Sequence, residues 1–218
     1  LKKFLGAGSA SAIAAVLLLS VGGPGQALAQ QVNDLPVIQA VVKTATAVSA
    51  PASAVPSAIQ SADAALAREV GVLQGAGWPL YALVDKFSAG APLTDQANCI
   101  AVAVYHEARG ESLEGQLAVA KVIMNRATSG KYPASWCGVV KQPWQFSFVN
   151  PRTGYMPSVD EASASWRKAL GVTRLAVANA VSSVPADCLW YHADYVAPSW
   201  GRRLTRVEKI GAHIFYRS

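Results

Sequence analysis

From Cys99 to Met124 the chain carries two apolar runs separated by a charged junction. In "CIAVAVYHEA", Ile100, Val104 and Ala108 recur at every fourth position with Ala101 and Tyr105 beside them, which is one face of a helix. Gly110 suits the left-handed position that follows a helix end. Ser112 is a good N-cap, Glu114 falls in the next first turn, and Leu113, Leu117, Ala120 and Met124 repeat at helical spacing. "SGKYP" closes this second helix. Cys137–Lys141 is apolar and brief, and Pro143 makes "QPWQFSFVN" a loop. Ser158-Val159-Asp160-Glu161 has the form of a capping box and predicts a third helix through Trp166 and Leu170 toward Val181. The period then changes. "CLWYHA", "LTRVEKI" and "AHIFYR" are short, near-alternating and rich in aromatic or β-branched residues, which predicts two or three antiparallel strands. The expected architecture is helix-rich α+β with a small C-terminal antiparallel sheet.

The first half reads differently. Lys2 and Lys3, an apolar run near Ser11–Val21, and Ala27-Leu28-Ala29 form a tripartite export signal, predicted over residues 1–29 with cleavage after Ala29. The run is short for a bilayer span, so no stable membrane span is expected after cleavage. Residues 30–94 are rich in Ala, Ser, Val and Pro and poor in charge and aromatics. They are expected to be a linker without its own core, with one helix near Asp63–Phe87 broken at Gly75–Pro79. Aromatics and charges concentrate after Asp95, so residues 95–218 are expected to form the folded domain.

Composition narrows the partners. The chain of 218 residues has a net charge of +6, and a basic exported domain suits an anionic polymer such as the cell envelope. No basic-aromatic nucleic-acid motif is present, and the sequence leaves the oligomeric state open. The three cysteines, Cys99, Cys137 and Cys188, allow one disulfide and one thiol without fixing the pair. Their spacing excludes a zinc ribbon. His106-Glu107 begins like a zinc-protease motif, but residue 110 is Gly, so the second histidine is missing. Neither a metal nor a cofactor is expected.

The charged junction His106-Glu107-Ala108-Arg109-Gly110-Glu111 is where chemistry is expected. A carboxyl at the end of an apolar helix is partly desolvated, which raises its pKa and lets it act as a proton donor near neutral pH. Glycosidic bonds need such an acid because a sugar alkoxide leaves poorly. The plainer alternative is an ion pair of Glu107 or Glu111 with Arg109. Most glycosidases also need a second carboxylate, for which Glu111, Asp160, Asp187 and Asp194 are candidates at unknown distances. One carboxyl suffices where the sugar supplies its own nucleophile, as the C6 hydroxyl of muramic acid can.

"AVYHEARGESLEGQLAVAKVIMNR", "CGVVKQPWQFSFV" and "IGAHIFYR" together resemble the cell wall hydrolase family of the spore-cortex-lytic (SleB-like) type, over roughly residues 97–218. The resemblance implies a lysozyme-like catalytic domain at 95–218 that cleaves the MurNAc–GlcNAc bond of peptidoglycan glycan strands as a lytic transglycosylase. It implies Glu107 as the catalytic acid/base. Gln145, Phe146 and Ser147 match a groove-wall segment, Tyr191 and His192 an aromatic pair before the last strands, and Asn125 and Arg126 a helix end. Tyr105 and Glu111 flank Glu107, and Trp144 can stack on a sugar face, which completes the expected substrate-binding set. Spore enzymes carry an N-terminal peptidoglycan-binding repeat, whereas this chain has its Ala/Ser/Pro-rich stretch, which points to general remodelling in the periplasm or cell envelope. The alternatives are a muramidase-type hydrolase, a metal-dependent amidase acting on the peptide stems, and a non-catalytic wall-binding module.

Overall fold

The computed structural model describes residues 54–218. The expected export signal and the first part of the expected linker lie outside the described residues. Six α-helices run in chain order: α1 (Ala54–Gly75), α2 (Leu80–Lys86), α3 (Asp95–Ala108), α4 (Leu113–Thr128), α5 (Trp136–Val140) and α6 (Ala164–Val177). Three strands follow, β1 (Cys188–Ala193), β2 (Thr205–Ile210) and β3 (His213–Arg217), with a 3₁₀ turn at Ser199–Arg203 between the first two. The expected helix-rich α+β class is what forms.

Helix α3 is the axis of the helical layer and touches α4, α5 and α6. Its residues Ile100, Ala101, Ala103 and Val104 are wholly buried, so the helix has almost no solvent face. Small alanines let its neighbours approach closely, and Thr94 caps it by accepting from the Ala97 N–H at 3.2 Å. The Ser112 cap of α4 also forms, accepting from Gly115 N–H. The third long helix begins later than its sequence pattern predicts. Ser163 caps it by accepting from Trp166 N–H, while Asp160 accepts from Ala162 N–H in the turn before. It stops at Val177, short of the expected Val181, and Asn179 adopts a left-handed φ of 50° just beyond.

The sheet has the order β1-β3-β2 and both pairs are antiparallel. A bulge lies between Cys188 and Trp190 in β1, and another between Arg206 and Glu208 in β2. One face of β1 and β3 packs on α4, burying Phe215 and Cys188 against Ala118 and Val122.

The segment read from sequence as linker contributes to the core. Val70, Leu83 and Val84 are buried, and Phe87 nearly so. Helix α2 lies against α6, where Gly171 is required: a Cβ there would collide with the Val84 carbonyl oxygen. Arg174 of α6 donates to the carbonyls of Phe87, Ser88 and Ala91 at 2.9–3.1 Å and pins the chain that leads into α3. Asp95 therefore begins a helix, and the packed unit begins before it. Sequence reading missed this because the partners of this short apolar stretch lie more than eighty positions downstream.

One disulfide joins Cys99 of α3 to Cys137 of α5, and Cys188 stays a buried thiol whose pKa burial pushes up to about 11. Among the described residues no helix is long and apolar enough to cross a membrane.

Candidate active site

Glu107 stands in the last turn of α3, where the buried helix meets the surface, and its side chain is half-buried. Burial pushes its carboxyl above the ordinary carboxylate range, and the hydroxyl and backbone N–H of Ser147 pull the other way. The carbonyl-rich end of α3 disfavours the carboxylate as well. Ser147 Oγ donates to Glu107 Oε1 at 3.4 Å, a long bond. No Lys, Arg or His of the described residues pairs with Glu107. Arg109, the partner considered from sequence, lies over the Tyr105 ring at 5.2 Å instead.

The wall opposite α3 is held by α4. Arg126, buried at its C-terminal end, donates through Nε to the Leu189 carbonyl at 2.8 Å and through NH1 to Gln145 Oε1 at 3.2 Å. Its guanidinium also lies over Tyr132 at 5.0 Å. Asn125 donates to the carbonyls of Pro185 and Cys188. These two side chains fasten β1 and the 142–149 loop to one helix, so the loop carrying Ser147 and the strand carrying Tyr191 face Glu107 together. The Tyr191 phenol lies within electrostatic reach of both Glu107 and Arg126. Its pKa is driven up by burial and by the Glu107 charge, and Arg126 opposes the rise.

The expected substrate-binding residues divide. Trp144 projects from the loop, 84% exposed, on a left-handed backbone with φ 67°. Gln145 and Ser147 are exposed on the same loop. Tyr191 borders Glu107. Three others are corrected. Phe146 is buried in the core and Tyr105 is buried edge-on to Trp166, its hydroxyl accepting from Asp160 N–H at 3.5 Å. Neither can meet a polymer. His192 follows Tyr191 directly and so points to the opposite face of the strand. There it stacks on Tyr216, and its Nε2 lies 2.9 Å from the Tyr216 hydroxyl.

Glu111 is a framework residue as well. Its Oε2 accepts from Ala212 N–H at 2.8 Å in the β2–β3 turn and lies 4.0 Å from His213 Nδ1. A Cβ at Gly211 would collide with that same oxygen. The other candidate second carboxylates are engaged too. Asp194 pairs with Lys209 at 2.6 Å, Asp187 with Arg217 at 3.4 Å, and Asp160 holds the turn before α6. The histidines each have their own partners. His106 stacks on Phe148 and reaches the Pro157 carbonyl, while His213 meets Tyr191 edge-on. No group of three potential metal ligands converges among the described residues.

Sequence reasoning singled out Asn125 and Arg126 as a motif without seeing their task. The signal available was a buried-helix pattern ending in two strongly polar residues, which only a partner strand or loop can satisfy.

A desolvated carboxyl at a helix end, beside a polar loop, has the chemistry to pass a proton to and from a substrate oxygen. Residues 110–216 match the cell wall hydrolase family, and the chain belongs to it. That match begins three positions after Glu107. The spore cortex-lytic enzyme of Bacillus subtilis is 37% identical over 121 residues, covering 53% of this chain and 35% of that enzyme. The spore cortex-lytic enzyme of Oceanobacillus iheyensis is 34% identical over 119 residues, covering 53% and 39%. The catalytic domain of the germination-specific lytic transglycosylase SleB of Bacillus anthracis is 30% identical, with 59% of this chain and all of that domain covered and a TM-score of 0.45. The chain thus spans well under half the length of these curated relatives.

Proposed function

We propose that this protein cleaves the MurNAc–GlcNAc bond of peptidoglycan as a lytic transglycosylase at the cell envelope, with Glu107 as its single acid and base. The observation that carries the reading is the isolation of Glu107. It is half-buried and unpaired with any cation among the described residues, and burial pushes its pKa up, while the four other carboxylates considered are tied into the framework.

The chemistry follows. Neutral Glu107 gives its proton to the glycosidic oxygen as the bond to the muramic acid C1 breaks. Positive charge develops at C1, and the carboxylate left behind lies beside it. The C6 hydroxyl of the same sugar then attacks C1 while Glu107 takes back its proton, closing a 1,6-anhydro ring without consuming water. The recovered proton resets the site. Ser147 supports the carboxylate between the two steps, and the pinned wall of Tyr191 and Gln145 bounds the sugar. Membership in the cell wall hydrolase family and the names of the relatives support peptidoglycan as the substrate.

The test is mass spectrometry of muropeptides released from purified sacculi by the full chain. Anhydro-ended products, lighter by one water than reducing-ended ones, are expected. Reducing ends would assign water as the nucleophile and a muramidase reaction. Cleaved stem peptides with intact glycan would overturn the glycosidase reading.

A further inference from the structure

A cavity of about 590 Å³ opens between α2 and α6, and Glu107 is not among its lining residues. This is within the usual size of ligand sites, roughly 300–1,000 Å³. Its floor is the buried Val84, and its mouth is aromatic. Trp78 is 41% and Tyr81 69% exposed. The main chain is fixed at this position: Gly77 takes a φ of 83°, Trp78 N–H donates to Leu73 O at 3.0 Å, and Pro79 follows. On the facing wall α6 presents Arg167 and Lys168. Arg167 spends one N–H on the Ala162 carbonyl, and Lys168 has no ion-pair partner among the described residues. The Lys86 charge on the α2 wall is taken by Glu69 at 3.1 Å.

We propose that this groove is a second docking site for peptidoglycan, taking a muropeptide unit away from the cleavage point. It rests on the substrate reading above. Trp78 and Tyr81 offer flat apolar faces of the kind that cover the C–H face of a sugar ring, each with a polar tip for hydroxyls. Lys168 and Arg167 complement a stem-peptide carboxylate. Asp85 is the carboxylate among the lining residues. Its oxygens are placed to accept hydrogen bonds from sugar hydroxyls. A second hold on an insoluble polymer raises the effective concentration of scissile bonds at Glu107.

The experiment measures sedimentation of the full chain with sacculi in a Glu107→Gln background, so that binding is read without digestion. Trp78→Ala with Tyr81→Ala, and separately Lys168→Glu, should each weaken binding at least about tenfold with an unchanged melting temperature. In the active background the same variants should cleave short soluble glycan fragments at the wild-type rate. Unchanged sacculus binding in both variants would overturn the proposal. An equal loss on short fragments would do so too, because the groove would then belong to the cleavage site. Competition by single-stranded DNA but not by soluble muropeptides would assign the groove to nucleic acid instead. If the active chain released no muropeptides while the variants still lost sacculus binding, the docking site would stand and the cleavage reading would fall.

Discussion

Replacing Glu107 by Gln keeps the size of the side chain and its capacity to accept from Ser147 while removing the proton. Loss of a general acid typically lowers rate about 10²–10⁴-fold. The effect on stability has the opposite sign from that of a broken ion pair. Burial raises the folded-state pKa of Glu107, so its favourable contribution is full below the ordinary carboxylate range and is lost as pH rises through the folded pKa. At neutral pH the carboxylate is a burden on the fold, partly relieved by the long Ser147 bond. Gln carries no charge at any pH. The variant should therefore melt at or above wild type at neutral pH, and the difference should vanish in acid. The assay is muropeptide release from sacculi beside thermal unfolding at both pH values. A folded variant that releases muropeptides at a near-wild-type rate would refute the assignment. A variant destabilised at neutral pH would refute the electrostatic argument, because it would mean that the carboxylate is stabilised in the fold.

Ser147→Ala removes the hydroxyl donor that favours the Glu107 carboxylate while keeping the backbone N–H, so the alkaline limb of the pH–rate profile should move to higher pH, and an unmoved limb would show that the hydroxyl has no part in tuning the acid. Gly171→Ala forces a Cβ against the Val84 carbonyl, a backbone atom with no rotamer to yield, and should cost about 1–3 kcal/mol in denaturant unfolding. A chain truncated to begin at Asp95 uncovers the α6 surface under Leu83 and Val84 and should aggregate or melt well below the full chain. Phe146→Ala should cost about 3–5 kcal/mol, whereas the exposed Trp144→Ala should leave stability within about 0.5 kcal/mol and weaken binding to glycan strands.

What sequence pattern revealed and what it hid have separate physical causes. The helices over Cys99–Ala108 and Leu113–Met124 and the three short strands were legible because their periods are local and their caps lie within three residues. The place of Glu107 at a helix end was legible because charge at the end of an apolar helix is locally anomalous. The fate of each neighbour was not, because it depends on distant contacts. Tyr105 is buried by Trp166, sixty-one positions on, and His192 is turned away by strand alternation once the register with β3 is set. The α2 segment reads as linker for the same reason, since its apolar residues are too few to show a period until Gly171 and Arg174 give them a surface.

The two glutamates of the junction show how environment divides one motif into two tasks. They lie four positions apart, at a spacing that would put both on one face of a continuous helix. The helix ends at Ala108, and the turn through Arg109 and Gly110 sends Glu111 toward the sheet. There the Ala212 N–H holds it through Oε2, and Gly211 leaves room for it. Glu111 is thereby the latch between the helical layer and the β2–β3 turn, held through Oε2. Glu107 keeps the opposite arrangement, with Ser147 as its polar partner, no cation among the described residues and a desolvated carboxyl. A reaction that used two carboxylates would need one of the engaged acids to abandon its partner. A reaction in which the sugar brings its own nucleophile needs only the carboxyl that is free.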